Sequence, residues 1–96
     1  MIGVVAKLFI APGKDAEFES AALDLMRKVN ANEPEVVTYQ LYKSKEDANT
    51  YIFMEQYATQ EALESHGKTD YFQAAQPVLG PLLSGPPDIQ YFNSVG

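Results

Sequence analysis

The sequence predicts an α+β fold of the ferredoxin-like kind: a split β-α-β sandwich with one four-stranded antiparallel sheet and helices on one face. Three observations lead there. The periodicity along the chain reads β-α-β, then β-α-β. The two central strands are joined by the short polar loop "SKEDANT", which makes them an antiparallel hairpin. No linker, repeat or low-complexity tract divides the 96 residues, so residues 1–96 are read as a single domain.

Each element has its own signal. Residues 2–11 alternate, with Ile2, Val4, Ala6, Leu8 and Ile10 on one face and Val5 and Phe9 on the other. Both faces are apolar, so both need a cover. Pro12-Gly13 breaks this strand. A helix is predicted over residues 14–30, where Phe18, Ala22, Leu25 and Val29 recur at helical spacing. Asp15, Glu17 and Glu19 suit its early turns, and Arg27 and Lys28 its last turn. "NANEP" ends it, because the residue before a proline is pushed out of helical geometry.

Residues 36–43 form the second strand, with Val37, Tyr39 and Leu41 assigned to one face and Val36, Thr38, Gln40 and Tyr42 to the other. The third strand spans residues 50–57, with Tyr51, Phe53, Glu55 and Tyr57 alternating against Thr50, Ile52, Met54 and Gln56. Thr59 is an N-cap for a short helix ending near His66, with Gly67 as its stop. Thr69 caps a further helical segment carrying Phe72, Ala75 and Leu79, in which Pro77 predicts a kink or early stop. "GPLLSGPPD" reads as a weakly structured loop, and residues 89–93 as a last strand. Strands apolar on both sides leave the helix-free face of the sheet uncovered, which predicts a homodimer through that face.

Composition narrows the functional classes. The net charge is −6 and the seven basic residues are scattered. An acidic chain repels phosphate backbones and anionic lipid, so neither nucleic acid nor a membrane is an expected partner. There is no cysteine, which rules out disulfides, thiolate metal sites and thiol catalysis. The N-terminal apolar run is interrupted by Lys7 and ends at Pro12-Gly13, too soon for a signal peptide or a span, so a cytoplasmic location is expected.

The one histidine, His66, stands in "ESHGKTDYF". Gly67-Lys68-Thr69 matches the end of a phosphate-binding loop, but the first glycine of that motif would fall on Ala62, and a helix, not a strand, precedes it. The simpler reading is a helix end followed by a new cap. His66 lies on the apolar stripe of its helix, three residues after Leu63 and four after Ala62. It therefore faces a groove or the core. It is either a satisfied core histidine or a group poised to exchange a proton near neutral pH. Glu55 sits on the aromatic face of its strand, either as a pocket acid or as the partner of a lysine at the sheet edge. One histidine and dispersed carboxylates give no metal-ligand set, and no glycine-rich dinucleotide fingerprint is present. The six tyrosines are core and interface material with a few candidates for pocket walls.

The segments "EPEVVTYQLYKS", "TYIFMEQYATQEALESHGKTDYF" and "GPPDIQYF" together resemble the antibiotic biosynthesis monooxygenase family, a dimeric α+β barrel superfamily. The resemblance runs from Val4 to Phe92. It rests most on Tyr39-Gln40-Leu41, on Glu55-Gln56-Tyr57, and on Ala62, His66, Thr69 and Phe72. It implies a quinol-monooxygenase-like enzyme: a cofactor-independent oxygenase whose partners are molecular oxygen and a small aromatic or quinol-like molecule. The haem-degrading branch uses an Asn on the first strand and a Trp, whereas this chain has Ala6 and Lys7 there and no Trp. The branch with a histidine at the end of the short helix is nearer, and His66 occupies that place. Under this resemblance His66 is the catalytic base and Tyr71 a donor to a substrate oxygen. Tyr39, Phe53 and Phe72 wall the substrate pocket, with Glu55 binding substrate or orienting His66. The family also implies two alternatives: an isomerase or degradative enzyme for a small carbonyl or signalling compound, and a non-enzymatic dimeric binder of small ligands. Two departures from the family pattern, Glu35 where a glycine often follows Glu-Pro and Pro77 in the last helix, bear on the pocket mouth.

Overall fold

A computed structural model describes residues 1–96. Strand β1 (Ile2–Phe9) leads to helix α1 (Asp15–Asn32), strands β2 (Val36–Lys43) and β3 (Thr50–Tyr57), helices α2 (Gln60–Gly67) and α3 (Asp70–Leu79), and strand β4 (Asp88–Asn93). The strands form one antiparallel sheet in the order β2-β3-β1-β4, with the helices on one face. This is the ferredoxin-like sandwich.

Alternation in β1 and β3 has the predicted consequence. Val4 and Ala6, with Tyr51, Phe53, Glu55 and Tyr57, are buried beneath the helices. Phe18, Ala22, Leu25 and Val29 of α1 are buried against them. Between β1 and α1, Gly13 takes φ +83°, a conformation side-chain-bearing residues rarely adopt.

Four local readings are corrected. In β2 a bulge between Val36 and Thr38 inserts one extra residue. Val36 is thereby buried beside Tyr39, while Val37 turns outward and is exposed, the reverse of the simple alternation. Helix α1 runs to Asn32, so Arg27 and Lys28 lie short of its last turn, and both approach Asp24 instead. Gly67 does end α2, as read from the sequence, and Lys68 follows as a cap with helical-region backbone. Helix α3 passes through Pro77 to Leu79, so the proline does not stop it. The "GPLLSGPPD" segment begins with a 3-10 turn, Gly80–Leu82, whose Leu82 is buried, and Leu83 bridges to Ile10.

Both threonine caps form. Thr59 Oγ1 accepts the Ala62 N–H at 3.1 Å, and Thr69 Oγ1 accepts the Phe72 N–H at 3.3 Å. The register sets Ile89 and Tyr91 of β4 opposite Ala6 and Val4, on the helix side of the sheet. Yet every residue of β4 is exposed. A cavity opens there between sheet and helices.

Candidate functional site

The cavity measures about 710 Å³ and its lining is mostly apolar. Val4, Ala6 and Phe53 form its floor, Leu63 and Phe72 its helical wall, and Ile89 and Tyr91 stand at the β4 side. The ionisable acidic and imidazole side chains that line it are Glu55, Glu64 and His66; no lysine or arginine does.

His66 reaches the cavity because Thr59 fixes the start of α2, which puts its last turn over Tyr39 and Tyr57. Its ring centroid lies 4.6 Å from Phe72, 5.1 Å from Tyr39 and 5.5 Å from Tyr57. The residue is only 4% exposed. Nδ1 lies 3.2 Å from each oxygen of Glu33. Nε2 has no partner within the protein and is not sealed from the cavity.

Glu33 was not among the residues singled out by the sequence. It is the residue after α1, held by its N–H to the Val29 carbonyl, and Pro34 keeps it extended at φ −121°, ψ 86°. That turn carries its carboxylate to the end of α2. The Tyr71 hydroxyl donates to Oε2 of the same carboxylate, at 2.5 Å. Burial, then the hydrogen bond to Glu33, pushes the Tyr71 phenol up to about 12.

Glu55 is 8% exposed and projects from β3 between Val4 and Tyr39. Its partner is the Tyr57 hydroxyl, which donates to Oε1 at 2.5 Å, and no lysine pairs with it. Burial raises its carboxyl from 4.5 to about 7, against a smaller opposing effect of the Tyr57 hydrogen bond. Glu55 therefore exchanges its proton near neutrality. Tyr57 and Tyr39 are both pushed well above the ordinary phenol range, chiefly by burial and then by the Glu55 charge. The Tyr39 hydroxyl, like His66 Nε2, has no protein partner and is not sealed from the cavity.

The structure thus brings His66, Tyr39, Phe53, Glu55 and Phe72 to one cavity. Tyr71 is placed elsewhere: its ring lines a smaller cleft of about 180 Å³ between α1 and α3, and its hydroxyl is spent on Glu33. The carboxylate that His66 meets is Glu33, not Glu55. Tyr51 is also apart from the cavity; its hydroxyl bonds Asp15 and Glu19, with Lys43 nearby. Gly67-Lys68-Thr69 is the junction of two helices, where Thr69 Oγ1 also donates to the His66 carbonyl at 2.9 Å. One sequence signal for Glu33 did exist: a carboxylate at the C-terminal end of a helix, where the dipole favours a cation.

The fold has counterparts in known proteins. The family model for antibiotic biosynthesis monooxygenase matches residues 1–78. The Bacillus subtilis (strain 168) protein named "Putative monooxygenase YcnE" is 30% identical over 89 residues, which is 93% of each chain. A Caulobacter crescentus CB15 crystal structure, of "a putative antibiotic biosynthesis monooxygenase", superposes with a TM-score of 0.96 at 49% identity, covering 99% of this chain and 90% of that one. A Nitrosomonas europaea structure shares the fold at TM-score 0.94 with only 14% identity. A model matching most of the chain, together with these relatives, leads to one conclusion: the chain belongs to the antibiotic biosynthesis monooxygenase family.

Proposed function

We propose that the chain is a cofactor-independent monooxygenase that oxidises a small phenol or hydroquinone in the cavity between helices and sheet. One observation carries this reading. Within a mostly apolar cavity, His66 Nε2 and the Tyr39 hydroxyl are two buried polar groups without a protein partner, with the proton-exchanging carboxyl of Glu55 on the same lining. An electron-rich phenol needs a base, a donor for its oxyanion, and a dry pocket; after deprotonation it can pass electrons to oxygen itself.

In this mechanism His66 Nε2 takes the phenolic proton and Tyr39 donates to the resulting oxyanion. A ring carbon that carries hydrogen, para to the oxyanion in a simple phenol and ortho to it in a hydroquinone, bonds to molecular oxygen. The adduct loses its C–H proton and the O–O bond breaks. One oxygen stays as the quinone carbonyl and the other leaves as water, completed by a proton from Glu55. Phenol plus oxygen thus gives quinone plus water, with all reducing electrons from the substrate. Phe53 and Phe72 hold the ring plane. Tyr71, whose hydroxyl is engaged by Glu33, acts on the site through that carboxylate rather than on the substrate.

The lining also bears on substrate charge. Glu55 and Glu64 face the cavity and no cationic side chain except a protonated His66 answers them. A neutral hydroxyaromatic suits this cavity better than a phosphorylated or carboxylated compound. We further propose that the chain works as a homodimer through the open face of the sheet, where Val37, Tyr42, Met54 and Phe92 are about half exposed.

Oxygen uptake by purified protein against a panel of hydroquinones and polycyclic phenols tests the activity. His66→Ala is expected to lower turnover by about a hundredfold or more, the usual scale for loss of a general base. Equal uptake by both forms removes His66 as the base. Absence of uptake across a broad panel sinks the oxygenase reading.

A further inference from the structure

We propose that Glu33, braced by Tyr71, is a positioning residue for His66: its carboxylate fixes the imidazole as the Nδ1–H tautomer and aims Nε2 into the cavity. This deepens the proposed function and rests on His66 being the base.

The argument starts from hydrogen-bond capacity. A carboxylate has only acceptors to offer, so a ring nitrogen that bonds it must carry the proton. Nδ1 lies 3.2 Å from both Glu33 oxygens, which assigns the proton of the neutral ring to Nδ1. The lone pair then sits on Nε2, the nitrogen that meets no protein group and opens to the cavity. A base in the opposite tautomer would present an N–H to a phenol and could take no proton from it. Once Nε2 is protonated, the adjacent carboxylate stabilises the imidazolium, as an orienting carboxylate does in catalytic triads.

Glu33 is itself constrained. Its side chain is 13% exposed, and Pro34 limits its backbone. The Tyr71 hydroxyl holds one of its oxygens. Meanwhile Thr69 Oγ1 holds the carbonyl of His66, so the backbone beneath the ring is anchored too. The location of Glu33 argues against a purely stabilising role. A carboxylate after the last turn of α1 meets the negative end of that helix dipole, where it is disfavoured. Breaking a local rule in this way is expected where a site, not the fold, demands the residue.

The chain contains a single histidine, so its imidazole nitrogens can be read without assignment by mutation. Long-range 15N–1H correlation spectra at the alkaline end of a pH titration report the neutral tautomer directly. The wild-type protein is expected to show Nδ1–H, and Glu33→Gln to show a mixture or a shift to Nε2–H, because an amide can donate as well as accept. A wild-type ring in the Nε2–H form overturns the proposal without any variant. So does an unchanged tautomer in folded Glu33→Gln. Tyr71→Phe keeps the carboxylate and should keep the tautomer; if Tyr71→Phe loses it and Glu33→Gln does not, the role passes to Tyr71 and the proposal falls. With a turned-over quinol in hand, Glu33→Gln should lower kcat by on the order of a hundredfold with KM little changed. If no quinol is turned over by any form, the oxygenase reading fails while the spectra still decide the role of Glu33.

Discussion

Glu55 and Glu33 show how differently two carboxyl groups behave within one site. Glu55 lies on the cavity floor with a phenol as its only partner, and burial holds its proton up to about 7. In the unfolded chain the same group titrates at 4.5. Between those values the folded state binds more protons than the unfolded one, so stability declines as pH rises. The contribution is fully present below pH 4.5 and lost by the time pH passes about 7. At 1.36 kcal/mol per pH unit the loss is about 3 kcal/mol. Glu55→Gln, which never ionises, should therefore gain on the wild type by that order between mildly acid and mildly alkaline solution. Urea denaturation at the two pH values measures it, and parallel behaviour of both proteins would show that Glu55 does not carry the effect. The strand alternation around Glu55 was legible from the sequence, because the three aromatic neighbours on its face report burial. Glu33 was not. It meets His66 across 33 positions of chain, and only the tertiary path through the Pro34 turn brings them together.

At the level of elements, the places where pattern reading succeeded are those where one force dominates. Thr59 and Thr69 cap their helices because each helix start leaves N–H groups unpaired and a hydroxyl satisfies one. Pattern reading failed where two forces compete. In β2 the alternation of "VVTYQ" fits either register, and burying Val36 alongside Tyr39 takes one inserted residue, Val37. In α3 the local rule against an interior proline lost to tertiary packing. Leu79, two residues beyond Pro77, is buried at the cavity wall, and Leu82 joins the core just after. The helix continues so that these leucines can reach the core, and it accepts that Pro77 offers no N–H to the Gln73 carbonyl. Pro77 is exposed, so its ring contributes little packing. Pro77→Ala should consequently raise stability, by about 1–2 kcal/mol once the greater freedom of the unfolded chain is subtracted. A thermal melt with unchanged or lowered midpoint would mean that the missing N–H is not a cost in this helix.

At the scale of the whole molecule, one face of the sheet is covered by helices and the other by nothing within the chain. On the open face the register aligns Gln40, Met54, Val5 and Gln90 in one row, and Tyr42, Ile52, Lys7 and Asp88 in the next. Met54 and Val5 fill the middle of the first row, while in the second Ile52 stands beside Lys7, and Lys7 and Asp88 occupy the β1–β4 end. A second copy of the same face would cover the apolar middle, and two-fold symmetry makes one surface sufficient for both partners. A net charge of −6 on each copy works against such pairing, so salt should strengthen it by screening. Met54, 46% exposed at the centre of the first row, is the point at which to test it. Met54→Lys places a charge where two copies would meet, yet in a monomer it stands in water and leaves the core untouched. Sedimentation equilibrium should find the wild type dimeric and Met54→Lys monomeric, with circular dichroism unchanged between them. The melting midpoint of the wild type should rise with protein concentration, by mass action, and that of Met54→Lys should not. A wild type that sediments as a monomer at every concentration would leave the open face as ordinary surface, and the cavity would then have to function within a single chain.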